Sequence, residues 1–509
     1  MYDTNHLAQA IRAASVGRDG ATFLKVHDTG ATVSYGAFFG NAERIASALA
    51  RAGLKPGDRV AVQAPKTVAM LELYVGTVLA GGVFLPLNTA YTPAEVAYFL
   101  GDATPRIFVC EPSKLSGLTP VAEQAGVAEI WTLAPDESGT LAEHRDAEAA
   151  GFTPVPRREE DLAAILYTSG TTGRSKGAML THRALESNSR TLQEYWRFTE
   201  ADVLIHALPI FHTHGLFVAT NTLLLAGGAM ILLPRLDIDA LIRWLPRATS
   251  MMGVPTFYTR LLDDPRFTRD LVAHMRLFIS GSAPLLAETH TAFEDRTGHR
   301  ILERYGMTET NMNTSNPCAG ERRAGTVGLP LPGVALKVTD PESGADLPQG
   351  EIGILEVRGP NVFQGYWQMP EKTAAELRPD GFFITGDLGR IDADGYVTIV
   401  GRKKDLIIAG GYNIYPKEIE LELDEAPGVR ESAVIGVPHA DLGEAVLGVL
   451  VALPGATPDT AAILADLGRR LARFKVPRAL VVVHDLPRNT MGKVQKNLLR
   501  ARFKDWFAA

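Results

Sequence analysis

Short apolar runs framed by small or turn-forming residues alternate with stretches of helical period through the first 400 residues. LAAILY (162–167), RLFIS (276–280) and EIGILEV (351–357) are rich in Ile, Leu and Val and bounded by Gly, Ser, Thr or Pro, which predicts strands. THRALESNSRTLQEYW (181–196) and PLLAETHTAFEDRTG (284–298) begin after turn residues and predict helices. Such alternation predicts an α/β fold, a large N-terminal domain of sheets flanked by helices. Residues 320–400 become rich in Gly and Pro, with short strands and few helical patterns, which predicts a small β-rich subdomain. From GRKKDLII (401–408) the order becomes helix (PKEIELELDE), strand (SAVIGV), strand (LGVLVAL), helix (TAAILADLGRRLA) and strand (ALVVVH). That pattern describes a small α+β C-terminal domain, so the expected division is residues 1–400 and 401–509.

Composition narrows the class. A chain of 509 residues is too long for one ordinary domain, and its 46% hydrophobic and 21% charged residues are those of a globular protein. Two cysteines, Cys110 and Cys318, allow at most one bridge and no cysteine-based metal cluster. The longest apolar candidate, LLLAGGAMILL (223–233), is too short to span a bilayer and reads as core, and the first residues lack a basic-then-apolar signal pattern. A multidomain cytoplasmic protein is expected. The net charge of −7 divides into +3 for residues 401–509 and −10 for the rest, far from the dense basic face of a nucleic-acid binder.

YTSGTTGRSKGAML (167–180) is the most informative segment. A buried strand runs into Thr168, Ser169, Gly170, Thr171, Thr172 and Gly173, followed by Arg174, Ser175 and Lys176. Small residues let backbone amides approach an anion, hydroxyls donate to its oxygens, and the cations neutralise it. The spacing is not that of a Walker A loop, because Arg174 and Ser175 separate Gly173 from Lys176. The alternative is a solvated Ser/Thr/Gly turn.

Four further motifs follow in order: ERYGMTET (303–310), TGDLG (385–389), GRKKDLIIAGGYNI (401–414) and PRNTMGKVQK (487–496). With the loop, they make the chain resemble the adenylate-forming superfamily of acyl-CoA synthetases, luciferases and peptide-synthetase adenylation domains over nearly its whole length. The resemblance implies ATP, Mg²⁺ and coenzyme A as partners. A carboxylate is activated as its adenylate with loss of pyrophosphate, and a thiol then displaces AMP. It also implies roles for residues at matching positions. Glu309 would hold Mg²⁺ on the phosphates, Thr308 would donate to the α-phosphate, and Tyr305 and Ser282, the latter in SGSAPL (280–285), would lie on the adenine side. Asp387 and Arg402 would bind the ribose hydroxyls. Lys493 would bridge the acyl carboxylate and the α-phosphate, and its neighbour Lys496 would be a solvated decoy. The small domain would be mobile, with a hinge at Lys404 and a pantetheine passage at Gly410 and Gly411. Acetylation of Lys493 by a lysine acetyltransferase would delete the same charge.

Arg304 decides the acid. A guanidinium beside the acyl pocket implies a second anion on the substrate, since an unpartnered buried cation is costly. The segment resembles that of malonyl-CoA synthetases, with His212, Thr213 and Met312 resembling their pocket-lining residues and Arg260 as a further anion contact. The alternative is that Arg304 pairs with a neighbour such as Glu303. HTHG (212–215) could suggest a metal site, but no third ligand is evident. The expected function is ATP-dependent ligation of malonate, or methylmalonate, to coenzyme A. The alternatives are a CoA or carrier-protein ligase for another small acid, and a non-catalytic nucleotide-binding relative.

Overall fold

A computed structural model describes residues 2–168, 175–409, 412–439, 442–489 and 492–507. The chain forms two compact units, Met1–Ala335 with Val357–Phe383 and Leu336–Glu356 with Ile384–Ala509. The second therefore takes residues 336–356 and 384–400 together with those after 401.

Two sheets organise the first unit. One has seven strands in the order Gly365–Tyr366, Lys176–Thr181, Leu162–Thr168, Val83–Pro86, Arg59–Gln63, Ile107–Cys110 and Glu129–Thr132. Its last five are mutually parallel, whereas Lys176–Thr181 runs antiparallel to Leu162–Thr168. Parallel strands need cover on both faces, and the near-continuous burial of Val83–Pro86 and Ile107–Cys110 reflects it. The other sheet has nine strands and contains Val203–His206, Ser250–Gly253, Leu277–Ser280, Leu302–Met307 and Asn311–Ser315.

The helix expected over 181–196 spans His182–Tyr195, and the Thr181 side chain caps it by accepting from the Ala184 amide. The helix expected from 284 begins only at Ala287. SGSAPL does not open it directly: Ser282 sits at φ +71° and Leu286 is still extended, so helical winding cannot start before Ala287. LLLAGGAMILL is core, a short helix Thr222–Ala226 turned at Gly227 into the strand Ala229–Leu232.

In the second unit the Gly- and Pro-rich stretch forms a four-stranded sheet of Ala335–Thr339, Gly353–Arg358, Phe383–Ile391 and Val397–Arg402. A five-stranded sheet follows, built on the long hairpin Val429–His439 and Gly443–Ala452. One face packs against Ile419, Leu423 and Leu467 of the helices Pro416–Asp424 and Thr460–Arg470. The other is covered by Leu499 and Phe503 of a helix, Lys496–Phe503, too short to show a period in sequence. Among the described residues no helix is long and apolar enough to cross a membrane.

Candidate active site

The loop read as phosphate-binding joins two antiparallel strands rather than a strand and a helix. Thr168 ends one strand, Lys176 opens the next, and the two are register partners. Ser169, Gly170, Thr171, Thr172 and Gly173 lie outside the described residues. Lys176 Nζ is 3.3 Å from Glu376 Oε2, 3.0 Å from the Tyr366 hydroxyl and 4.1 Å from the Tyr366 ring centre. That hydroxyl is in turn 3.0 Å from Glu309 Oε1 and 2.7 Å from Glu376 Oε2. A phenol has one hydrogen, so Tyr366 donates to one carboxylate at a time while accepting from Lys176. The loop lysine and Glu309 are thus brought to one hydroxyl. Tyr366 and Glu376 were not anticipated. Gly365–Tyr366 is a two-residue strand paired with Ala178–Met179, and no pattern so short marks itself in sequence.

Thr308 and Glu309 occupy the turn between the strands Leu302–Met307 and Asn311–Ser315. The Glu309 carbonyl accepts from the Phe363 amide at 2.7 Å, and the Thr310 carbonyl accepts from Asn361 Nδ2 at 2.6 Å, which hold the turn open. Glu309 is 5% exposed. One buried carboxylate with a hydroxyl and a lysine beside it suits Mg²⁺ carried on phosphates, which takes few protein ligands. Among the described residues no group of three or more His, Cys, Asp or Glu is placed to hold a metal ion.

Arg304 is 3% exposed, on the strand Leu302–Met307. Its Nε and Nη2 have no hydrogen-bond partner among the described residues. The adjacent Glu303 turns the other way, as successive strand residues do, and accepts from the Leu285 amide at 3.1 Å. Burial pulls the guanidinium down to about 9, with Tyr258 and Glu303 opposing, so it stays charged at neutral pH. The buried His214 lies within electrostatic reach of Arg304. Its Nδ1 is 3.2 Å from Ser282 Oγ and its Nε2 has no partner among the described residues. Ser282, assigned to the adenine side from sequence, therefore also reaches His214. Thr213 Oγ1 donates to Asn311 Oδ1 at 2.9 Å, and Met312 is buried one residue further along that strand. Burial holds His212 down to about 4, hence neutral. Arg260 is exposed on the helix Pro255–Leu262. Tyr305 is partly buried.

In the second unit Asp387 and Arg402 face each other as register partners, with Arg402 Nε 2.7 Å from Asp387 Oδ1. Lys493 belongs to a tight turn in which its amide donates to Asn489 Oδ1 and its carbonyl accepts from the Asn489 amide, both at 2.9 Å. Its ammonium feels Arg402, Asp387, Lys404 and Asp405, so three residues far apart in sequence converge. Lys404 is exposed in the turn Lys403–Asp405. Lys496 is not a solvated tail residue: its Nζ is 2.6 Å from the buried Glu420. Gly410 and Gly411 lie outside the described residues.

Residues 12–367 match the profile of the AMP-binding enzyme family, and residues 418–493 match the AMP-binding enzyme C-terminal domain. The chain is 36% identical over 482 residues to a malonate–CoA ligase of Arabidopsis thaliana, covering 88% of this chain and 78% of that protein. It is 35% identical to a sulfoacetate–CoA ligase of Cupriavidus necator, covering 97% of each. Among solved structures, ATP-bound MatB from Rhodopseudomonas palustris superposes with a TM-score of 0.97 at 57% identity, covering 99% of this chain and 100% of that one. These matches agree with the convergence of Lys176 and Glu309 in one unit and of Asp387, Arg402 and Lys493 in the other: the chain belongs to the AMP-binding enzyme family.

Proposed function

We propose that this protein is an ATP-dependent malonate–CoA ligase. It joins malonate to ATP as malonyl-AMP with release of pyrophosphate, and then transfers the malonyl group to the thiol of coenzyme A with release of AMP. The observation that carries the choice of acid is Arg304, a buried guanidinium with two of its nitrogens unpartnered among the described residues. Such a group is costly unless an anion meets it, and the far carboxylate of a short dicarboxylic acid supplies one. The neutral His212 and His214, with Thr213 and Met312, line a pocket for a short chain, and Arg260 is a further contact for the anion.

Adenylation sets an anion against a polyanion, so the chain's task is positioning and charge neutralisation. Lys176 and the hydroxyls of the 168–173 loop hold the phosphates. Glu309 would hold Mg²⁺, which when bound neutralises phosphate charge. Asp387 accepts from the ribose hydroxyls, with Arg402 aligning its carboxylate. Thr308 donates to the α-phosphate. Lys493 stabilises the charge that develops between the malonate carboxylate and the α-phosphate, and Lys404 is the hinge for the second half-reaction, with Gly410 and Gly411 on the thiol's side. The protein acts in the cytoplasm, and acetylation of Lys493 switches it off.

The test is pyrophosphate exchange into ATP across malonate, methylmalonate, sulfoacetate, acetate and benzoate. Exchange with malonate well above the monoacids is expected. Sulfoacetate carries a second anion at the same distance, and exchange with it alone would replace the carboxylate by a sulfonate at Arg304. Exchange with acetate or benzoate equal to that with malonate would overturn the reading.

A further inference from the structure

Lys66 follows the strand Arg59–Gln63 and immediately precedes Thr67, the cap of the helix Val68–Leu79. Its Nζ is 2.8 Å from each of three acceptors, His206 Nδ1, the His206 carbonyl and the Leu208 carbonyl. An ammonium has three N–H groups, and all three are used. The other ring nitrogen of His206, Nε2, is 2.8 Å from the Gly215 carbonyl. A carbonyl only accepts, so Nε2 carries the hydrogen and Nδ1 is left to take one from Lys66. The ammonium's shielding from water pulls it well below the usual lysine range, and the three acceptors counter that loss.

These bonds close a loop. His206 ends the strand Val203–His206, and Gly215 is the second residue of a fully buried π-helical segment, His214–Asn221. The imidazole spans from one end of residues 206–215 to the other. Thr220 Oγ1 also donates to the Gly215 carbonyl, at 3.0 Å. A Cβ on Gly215 would overlap the Pro209 carbonyl, so the loop is tightly folded on itself. His212, Thr213 and His214 all belong to it. π-Helical winding is rare and needs support from outside the helix.

We propose that Lys66 is a positioning residue for the acid pocket: it holds His206 in the Nε2–H form and thereby fixes the loop that presents His212, Thr213 and His214 to the substrate. This rests on the pocket assigned above. All three N–H groups of Lys66 are engaged within the protein, so its loss is expected to act on malonate binding and not on ATP binding.

The experiment compares Lys66→Met, Thr220→Val and Arg304→Leu by malonate KM, kcat and equilibrium binding of ATP. Removal of hydrogen bonds to a charged group is expected to raise the malonate KM about tenfold or more in Lys66→Met, and about threefold in Thr220→Val, with the Kd for ATP changed less than about twofold in both. An unchanged malonate KM, or equal weakening of ATP and malonate, overturns the inference, since equal weakening marks a structural role only. If Lys66→Met does not fold, Thr220→Val decides on the same criterion. Arg304→Leu separates the two readings. If it leaves the malonate KM unchanged, the pocket assignment fails; if it raises the KM while the other variants do not, only the role of Lys66 fails.

Discussion

The Arg304 guanidinium lies against the Cα of Gly281, so closely that a Cβ at position 281 would overlap its Cζ, Nη1 and Nε. Gly281 is therefore the floor of the anion site. Gly281→Ala is expected to displace the guanidinium and raise the malonate KM by about tenfold or more, with an overpacking cost of about 1–3 kcal/mol in stability. Arg304→Leu is expected to cost malonate about 3–5 kcal/mol in kcat/KM, since it leaves a buried substrate carboxylate unpaired. Steady-state kinetics and urea denaturation of both variants provide the check.

In the proposed mechanism Lys493 serves the first half-reaction and not the second. Lys493→Ala is expected to abolish pyrophosphate exchange while leaving thioester formation from preformed malonyl-AMP and coenzyme A near the wild-type rate. Burial, with Arg402 and Lys404 against Asp387 and Asp405, pulls the ammonium down to about 8. The charged form prevails below that pH, so exchange should fall as pH rises through about 8, and thioester formation should not follow it. Stoichiometric acetylation of Lys493, quantified by mass spectrometry, should reproduce the alanine phenotype. Unchanged exchange in the acetylated sample would remove this lysine from the mechanism.

Asp387 is almost fully buried, and Arg402 aligns its carboxylate. Asp387→Asn keeps the shape and loses the charge. A charged hydrogen bond contributes about 1.5–3 kcal/mol, so the Kd for ATP should rise roughly 10- to 100-fold. Calorimetric titration with ATP in the absence of acid and thiol measures this without turnover.

Imidazoles shielded from water, among them His182, His206 and His212, make the fold sensitive to acid. Burial, aided by Arg157 and His6, lowers His182 to about 3; burial and Lys66 lower His206 to about 3, and burial alone lowers His212 to about 4. In the unfolded chain these groups titrate near 6.5, so between about pH 4 and 6.5 the unfolded state binds more protons. Their stabilising contribution is fully present above pH 6.5 and is lost as pH falls. The urea midpoint should decline from pH 7 to pH 4.5. His182→Gln, which retains an acceptor for the Leu7 amide that now bonds Nδ1, should flatten part of that decline.

Much of this was legible in the chain itself. Apolar runs of strand length and the capped helix at 181–196 reproduce their elements because burial on both faces and a threonine cap are local properties. The phosphate loop, Glu309, Asp387, Arg402 and Lys493 could be singled out as candidates because each lies in a short motif whose chemistry is set by residue type and spacing. Arg304 could be singled out because a cation beside an acyl pocket demands a counter-charge. Where local winding depended on one unusual dihedral, as at Ser282, the expected helix start failed by three residues.

What only the tertiary structure decided are contacts between residues remote in sequence. Tyr366 joins Lys176 to Glu309, Gly281 gives Arg304 its bed, and Lys66 reaches across to His206. Lys496, read as a solvated basic residue, pairs with a buried glutamate. The physical reason is the same in each case. Residue type states what a side chain can do, but a buried charge or hydroxyl takes its role from the partner that replaces water, and that partner is chosen by the packing of sheets rather than by neighbours along the chain.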